Sequence, residues 1–320
     1  MRALAILILA LVAVAALHLL VPLDSFLGLQ RRDPALARLL LSELRLPRTL
    51  LAAGYGAVLG ITGAALQATF ANPLASPDIT GSSSGAALGA VLGGYWFGVT
   101  SPLALAGFGA AGAALTLLLL LLLAGRRADA ATLLLAGLAI ALAAGAGTSL
   151  LLALAPSPFA FYDAFDWLMG SFTDRSLPQA AAALIPATIA CVLLARRSVP
   201  LDMLSLGEDI AASAGVRPRR LSVEVVAFSA IALGACVSVC GAIGFIGLIA
   251  PFVARRLSAG HPGRALMPAA AIGAILLLAA DLLVRMAPAG RTIPVGVVTT
   301  ALGTPLFIWI VMTMRRTATS

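Results

Sequence analysis

The sequence predicts an all-α polytopic membrane protein with about ten transmembrane helices, and three observations lead there. Hydrophobic residues fill 61% of 320 positions and charged residues only 11%. Mean hydropathy is +1.05, beyond what the core of a soluble domain requires. The apolar residues also fall in runs of roughly twenty, the length at which a helix spans hydrocarbon. Every basic residue is arginine, and the net charge of +8 belongs to loops facing lipid head groups rather than to a nucleic-acid surface. Residues 1–320 read as one transmembrane domain.

The first span is Ala3 to Leu23, which is long for the apolar core of a signal peptide and is expected to be retained. His18 inside it lacks a partner in sequence and reads as lipid-facing or helix-packed. Asp24 to Arg48 is polar and carries Arg31, Arg32, Arg38, Arg45 and Arg48. The second span, Thr49 to about Phe70, holds Gly54, Gly56, Gly60 and Gly63, small residues that let helix backbones approach in a packed interior. Asn72-Pro73-Leu74-Ala75-Ser76-Pro77-Asp78 breaks it, and Gly81 to Gly85 opens a short third helix ending near Phe97. No strand precedes this GSSSG and no GK[ST] follows, so helix packing explains it better than a phosphate cradle.

Spans four and five are about Leu103 to Ala124 and Thr132 to Ala155, with a turn at Arg126 to Asp129 between them. Pro156 to Pro178 is a second long break, whose FYDAFDWLMG reads as an interfacial helix with aromatic anchors. Asp163, Asp166 and Asp174 there have no histidine nearby, so a solvated face is expected and a metal site is not. Gln179 to Ala195 is the sixth span, and the seventh ends near Cys240. The close glycines of Gly241 to Gly247 predict a tight re-entry into a short eighth helix ending at Arg255-Arg256. Ala265 to Ala287 and Val295 to Met314 complete the set. Cys191, Cys236 and Cys240 lie in apolar runs without a CxxC and read as small buried hydrophobes.

One stretch, Val199 to Arg220, is too polar for lipid although it lies deep in an apolar chain. It predicts a short water-exposed helix over Leu206 to Ala214. Ser205 and Glu208 supply an S-x-x-E capping box, Gly215 a left-handed stop, and Pro218 follows. Leu206, Ile210 and Ala214 form a narrow apolar face. Such a helix docks on a soluble partner; a solvated loop with one stray helical turn has the same spacing.

If Arg2 is cytoplasmic and the spans alternate, the 21 arginines divide into thirteen inside and eight outside, which puts both termini in the cytoplasm. Arg45 and Arg48 oppose that bias, so an acidic partner is expected at the outer face.

Seven strings, in order along nearly the whole chain, carry a resemblance to a known family. They are RLPRTL from Arg45, GAALQATFANPLASPDITGSSSGAALGA from Gly63, LLLAGLA from Leu133 and WLMGSF from Trp167. LSLGEDIAASAGV from Leu204, GAIGFIGLIAP from Gly241 and IPVGVVTTALGTPLFIW from Ile293 follow. Together they resemble the FecCD-type permeases of binding-protein-dependent ABC importers for iron-siderophores, haem and vitamin B12.

The resemblance implies a type II ABC importer permease in a bacterial inner membrane, working as a homodimer with two ATP-binding subunits and a periplasmic binding protein. It implies coupling to the ATPase through Ser205, Leu206, Gly207, Glu208, Asp209 and Gly215. Arg45, Arg48 and Arg285 match positions that dock the binding protein. Asn72 and Leu74 match a cytoplasmic gate, whose other side reads Ala130 and Ala131 where relatives carry hydroxyl residues. An iron-siderophore complex is the expected cargo, with haem or vitamin B12 as alternatives.

No cofactor or metal is expected in this chain, since GxxxxGK[ST] is absent and ATP with its magnesium belongs to the partner. An intramembrane enzyme has little support, because HExxH and GxSxG are absent and only His18 and His261 serve proton chemistry. An ion-coupled carrier calls for ionisable residues at mid-membrane. Glu224 sits near a helix start instead, and Asp281, near a helix end, reads as the i, i+4 partner of Arg285.

Overall fold

The computed structural model describes residues 2–125, 129–286 and 293–318. Helices are α1 (Arg2–Leu20), α2 (Leu23–Arg32), α3 (Pro34–Leu39), α4 (Leu46–Thr69), α5 (Ser82–Trp96), α6 (Pro102–Ala124), α7 (Ala130–Ala153) and α8 (Pro158–Leu168). They continue as α9 (Leu177–Ala195), α10 (Ser198–Leu204), α11 (Glu208–Ser213), α12 (Pro218–Cys240), α13 (Ile246–Leu257), α14 (Leu266–Arg285) and α15 (Val295–Ala318). No strand occurs among the described residues. Each stretch expected to span carries a helix, and seven of the helices are long and apolar enough to cross a membrane. The shorter ones are α5, α13 and the apolar part of α15, Val295–Ile308. Arg126, Arg127 and Arg291 lie outside the described residues, as do the side chains of Arg2, Asp163, Arg315 and Arg316.

The segment before the second span is more ordered than its polarity predicts. Asp33 caps α3 by accepting from the Ala35 and Leu36 amides at 3.0 Å, and Pro34 starts the helix without needing a donor. A π-helical stretch, Leu40–Arg45, then runs straight into α4. The arginines Arg45 and Arg48 therefore sit on a continuous rod rather than in a loop.

Helix α4 is the axis of the fold. Lipid gives no hydrophobic drive for helices to associate, so close van der Waals contact must supply it. At Gly60 a Cβ would run into the Ala269 carbonyl, and Gly56 and Gly273 touch backbone to backbone. These contacts bring α4 and α14 together at a distance only glycine permits. Around this pair α9, α12 and α13 bury Tyr55, Leu59, Leu233, Leu277 and Ile246 in one core cluster. Leu66, Leu194, Leu201, Leu221 and Leu266 form a second, at the end where α10 and α11 lie.

The expected re-entry is present. Residues 241–245 are non-helical, and such backbone survives at membrane depth only inside protein or a cavity. Here Tyr55 Oη donates to the Gly241 carbonyl at 3.2 Å and the Ser171 amide to the Cys240 carbonyl at 2.8 Å. Phe245, at φ +66°, turns the chain into α13 and packs against Gly303 and Phe307 of α15. With 12 residues, α13 covers about 18 Å, roughly half the hydrocarbon thickness.

Candidate functional site

The water-exposed stretch folds as two short helices rather than one. Ser205 belongs to the end of α10: its amide bonds to the Leu201 carbonyl at 3.2 Å and its hydroxyl donates to the Asp202 carbonyl at 2.7 Å. The expected capping box with Glu208 is therefore absent, and Gly207, at φ +114°, precedes α11 without a side-chain cap. The reason lies in α10, which is pinned before Ser205 is reached. Leu201 is fully buried, and Asp202 accepts the Gly263 amide at 2.7 Å. The stop at Gly215 is as expected. At φ +85° it donates to the Ala212 carbonyl at 3.0 Å while Val216 donates to the Ala211 carbonyl at 2.9 Å, the two bonds of a Schellman motif.

Leu206 and Ile210 are 62% and 54% exposed beside exposed Glu208 and Asp209, while Ala211 on the opposite side is buried. This apolar pair, flanked by acids and facing outward, lies outside the chain's own core.

Near the same end of α4, the Asn72 side chain accepts the Leu74 amide at 2.9 Å and holds the loop in a tight turn. Leu74 projects outward, 43% exposed, while Ala75 is buried. The following turn, Pro77–Thr80, packs on α7 where Gly137 leaves room for the Ile79 carbonyl. Ala130 and Ala131 form the first turn of α7. Asp129 caps that turn, and the Thr132 side chain and amide, the latter at 2.8 Å, hold its carboxyl below the usual range.

The far end of the bundle holds a cluster that the sequence did not disclose. Arg48 places Nε 2.7 Å from Asp281 Oδ2 and Nη2 2.8 Å from Oδ1. His18 Nε2 stands 2.8 Å from the same Oδ2, with its Nδ1 2.8 Å from Thr49 Oγ1. Arg285 reaches Asp281 from one turn away at 3.4 Å. Its Nη1 also donates to the His18 carbonyl at 2.6 Å, while Arg45 donates to the carbonyls of Leu19 and Leu20 at 3.1 and 2.9 Å. The two arginines thus cap the last turn of α1, where positive charge meets the negative end of the helix. The i, i+4 pair of Asp281 with Arg285 exists, but it is the longest contact Asp281 makes to the cluster. His18 is fully buried, and it faces helices rather than lipid.

A family model described as the FecCD transport family matches residues 3–313. The chain belongs to that family. The vitamin B12 import system permease protein of Vibrio cholerae serotype O1 is 37% identical over 289 residues, 87% of this chain and 84% of that protein. The Fe(3+)-citrate import system permease protein of Bacillus subtilis is 37% identical over 279 residues, 85% of this chain and 81% of that protein. A solved inward-facing structure assigned to the metal-chelate type of ABC transporter covers 97% of this chain, with 98% of its own length matched. Its TM-score is 0.84 at 30% identity.

As a FecCD protein, the chain is a membrane-embedded permease subunit of an ABC importer, and ATP is hydrolysed by a separate subunit. The sites divide between the two ends of this permease. Coupling and gate residues of the sequence reading gather where α10 and α11 lie, and Arg45, Arg48 and Arg285 gather at the other end. Among the described residues no hydrogen bond joins Asn72 or Leu74 to Ala130 or Ala131. The pairing of His18 with Thr49 and Asp281 is not foreshadowed by any local pattern, and only the place of these residues in apolar helices near their polar ends hints at it.

Proposed function

We propose that this permease imports a metal chelate, a ferric siderophore or related ferric chelate in the first place. What supports the class is the likeness to both a ferric-citrate and a vitamin B12 permease at the same 37% identity, since each of those cargoes is a metal held in an organic chelate. The corrinoid is the second reading, carried by the Vibrio cholerae relative. The working unit in this reading is a homodimer with the pathway between two copies. Its termini are cytoplasmic, α11 is seated on the ATPase, and Asn72, Leu74, Ala130 and Ala131 narrow the inner end.

Arg45, Arg48 and Arg285 are the docking residues of this reading. Their guanidinium groups already hold internal acceptors, so a binding protein meets a preorganised basic rim rather than free side chains. Rim charges set association rate and salt dependence more than affinity.

The test is uptake into proteoliposomes containing the assembled transporter and its own binding protein. Radiolabelled ferric chelates and cyanocobalamin are offered in parallel, and mass spectrometry identifies what the binding protein retains from growth medium. ATP-dependent uptake of a ferric chelate alone upholds the first reading, and uptake of cyanocobalamin alone replaces it with the second. Accumulation driven by an ion gradient without ATP overturns both.

A further inference from the structure

Between the coupling stretch and α13 lies a cavity of about 410 Å³ whose lining includes Gln67, Thr69, Leu204, Glu208, Arg255 and Gly260. Its donors and acceptors do not match. Gln67 is 1% exposed, and neither its Nε2 nor Arg255 Nε has a hydrogen-bond partner. Both atoms only donate, and a buried donor left without an acceptor costs free energy that another conformation can recover.

An acceptor stands on the same cavity. Glu208 supplies the one carboxylate of the lining, yet no ion pair joins it to Arg255. Elsewhere at this end, Glu224 is held by Arg197 and Arg220 at 2.9 Å each, and Arg256 lies over the Phe252 ring at 4.6 Å. Gly207, just before Glu208, sits at φ +114° with no side-chain cap, a conformation open to glycine. Its amide donates to the Leu204 carbonyl at 3.1 Å and its carbonyl accepts the Ala211 amide at 3.0 Å, bonds that a turn at this residue must exchange. By contrast α10 is fixed through buried Leu201 and the Asp202 to Gly263 bond.

We infer that this cavity closes during the transport cycle, with Glu208 turning about Gly207 to place its carboxylate on Arg255 and the Gln67 amide. The inference rests on α11 being the segment seated on the ATPase. Closure would carry a displacement of α11 to two elements at once. One is α13, which starts at the re-entrant break. The other is the end of α4, where the Gln67 carbonyl accepts the Asn72 amide at 3.1 Å and so borders the gate loop. An acid and a base that line one cavity without pairing thus become a latch between the coupling surface and the gate.

The experiment uses the full transporter with its ATPase subunits in proteoliposomes. Glu208→Arg and Arg255→Glu are measured singly and together for subunit assembly and for cargo-stimulated ATP turnover. Closure predicts about a tenfold loss of stimulated turnover in each single variant, with assembly intact in Arg255→Glu, and recovery of turnover to within about twofold in the charge-swapped pair. Disulfide trapping of Glu208→Cys with Arg255→Cys covers the case in which a charge variant fails to fold. A cross-link that forms in one nucleotide state and not in another upholds closure, and equal cross-linking in all states, or none, overturns it. If Glu208→Arg abolishes assembly and Arg255→Glu does not restore it, Glu208 touches the ATPase directly and the latch is wrong while the coupling reading stands. If Glu208→Arg leaves both assembly and stimulated turnover unchanged, the latch and the coupling role of Glu208 both fail.

Discussion

Arg48 and Asp281, separated by 233 positions, meet as a two-point fork with contacts of 2.7 and 2.8 Å. The Asp281 side chain is 1% exposed and that of Arg48 17%, so neither charge has enough water to stand alone. Taking away one member of such a pair strands the other. Asp281→Ala is expected to cost about 3–5 kcal/mol, read as a lowered thermal midpoint of the purified permease in detergent. Arg48→Lys should lose much of the same stability, because an ammonium cannot match both carboxylate oxygens. Wild-type midpoints for both variants would mean that the fork contributes nothing.

His18 ties α1 to the rest of the bundle through Asp281 and Thr49. Replacing it by Leu keeps the bulk but removes one hydrogen bond each from the Thr49 hydroxyl, which still donates to the Arg45 carbonyl, and from Asp281 Oδ2, which keeps Arg48, at about 1–3 kcal/mol in all. His18→Gln can reach part of the same network and should recover some of the loss. Limited proteolysis of the segment between α1 and α3 reports the effect locally: faster cleavage in His18→Leu than in His18→Gln is the expected order.

Where α10 and α11 lie, the two candidate capping residues now separate. Ser205 is exposed and its hydroxyl only supports the preceding turn, so Ser205→Ala should change stability by less than about 0.5 kcal/mol. Gly215 holds a left-handed conformation, and a side chain there costs roughly 1–2 kcal/mol. Gly215→Val should therefore impair ATPase assembly and stimulated turnover while Ser205→Ala does not. The reverse order would restore the single capped helix that the sequence predicted.

Gly60 faces the Ala269 carbonyl with no room for a Cβ. Gly60→Val should force α4 and α14 apart, with a cost of about 1–3 kcal/mol or more. Loss of the monodisperse peak in size-exclusion chromatography checks this. Gly28, with nothing within 4 Å of an added Cβ, serves as the control position for the same substitution.

The fold was legible because lipid imposes a length rule on apolar runs, and the glycines of α4 announced its close neighbours. The stretch Val199 to Arg220 stood out for the opposite reason, polarity in an apolar chain. Its internal geometry was less readable. Ser205-x-x-Glu208 and Ser176-x-x-Gln179 carry the same pattern, yet only Gln179 reaches back, accepting the Ser176 amide at 3.0 Å. Ser176 follows a non-helical turn marked by Asp174 at φ +55°, whereas Ser205 is already bonded into α10. His18 is helix-packed, one of its two expected settings, but its partner lies 263 positions away, a distance no local window spans, and the local pairing of Asp281 with Arg285 masked the other contacts of Asp281.

The cluster at the end of α1 also bears on how the chain is made. Only a small share of the α1 span, 6%, is buried, and its chief neighbour is α14, which leaves the ribosome some 260 residues later. At synthesis rates of about 5–20 residues per second, α1 must wait in the bilayer for on the order of ten seconds or longer before its acid arrives. Its position near the helix end keeps His18 close to the head groups during that interval, where an imidazole is tolerated. Helix α1 is thus fastened only after a long stretch of chain has followed it, and its clasp registers that α14 has arrived.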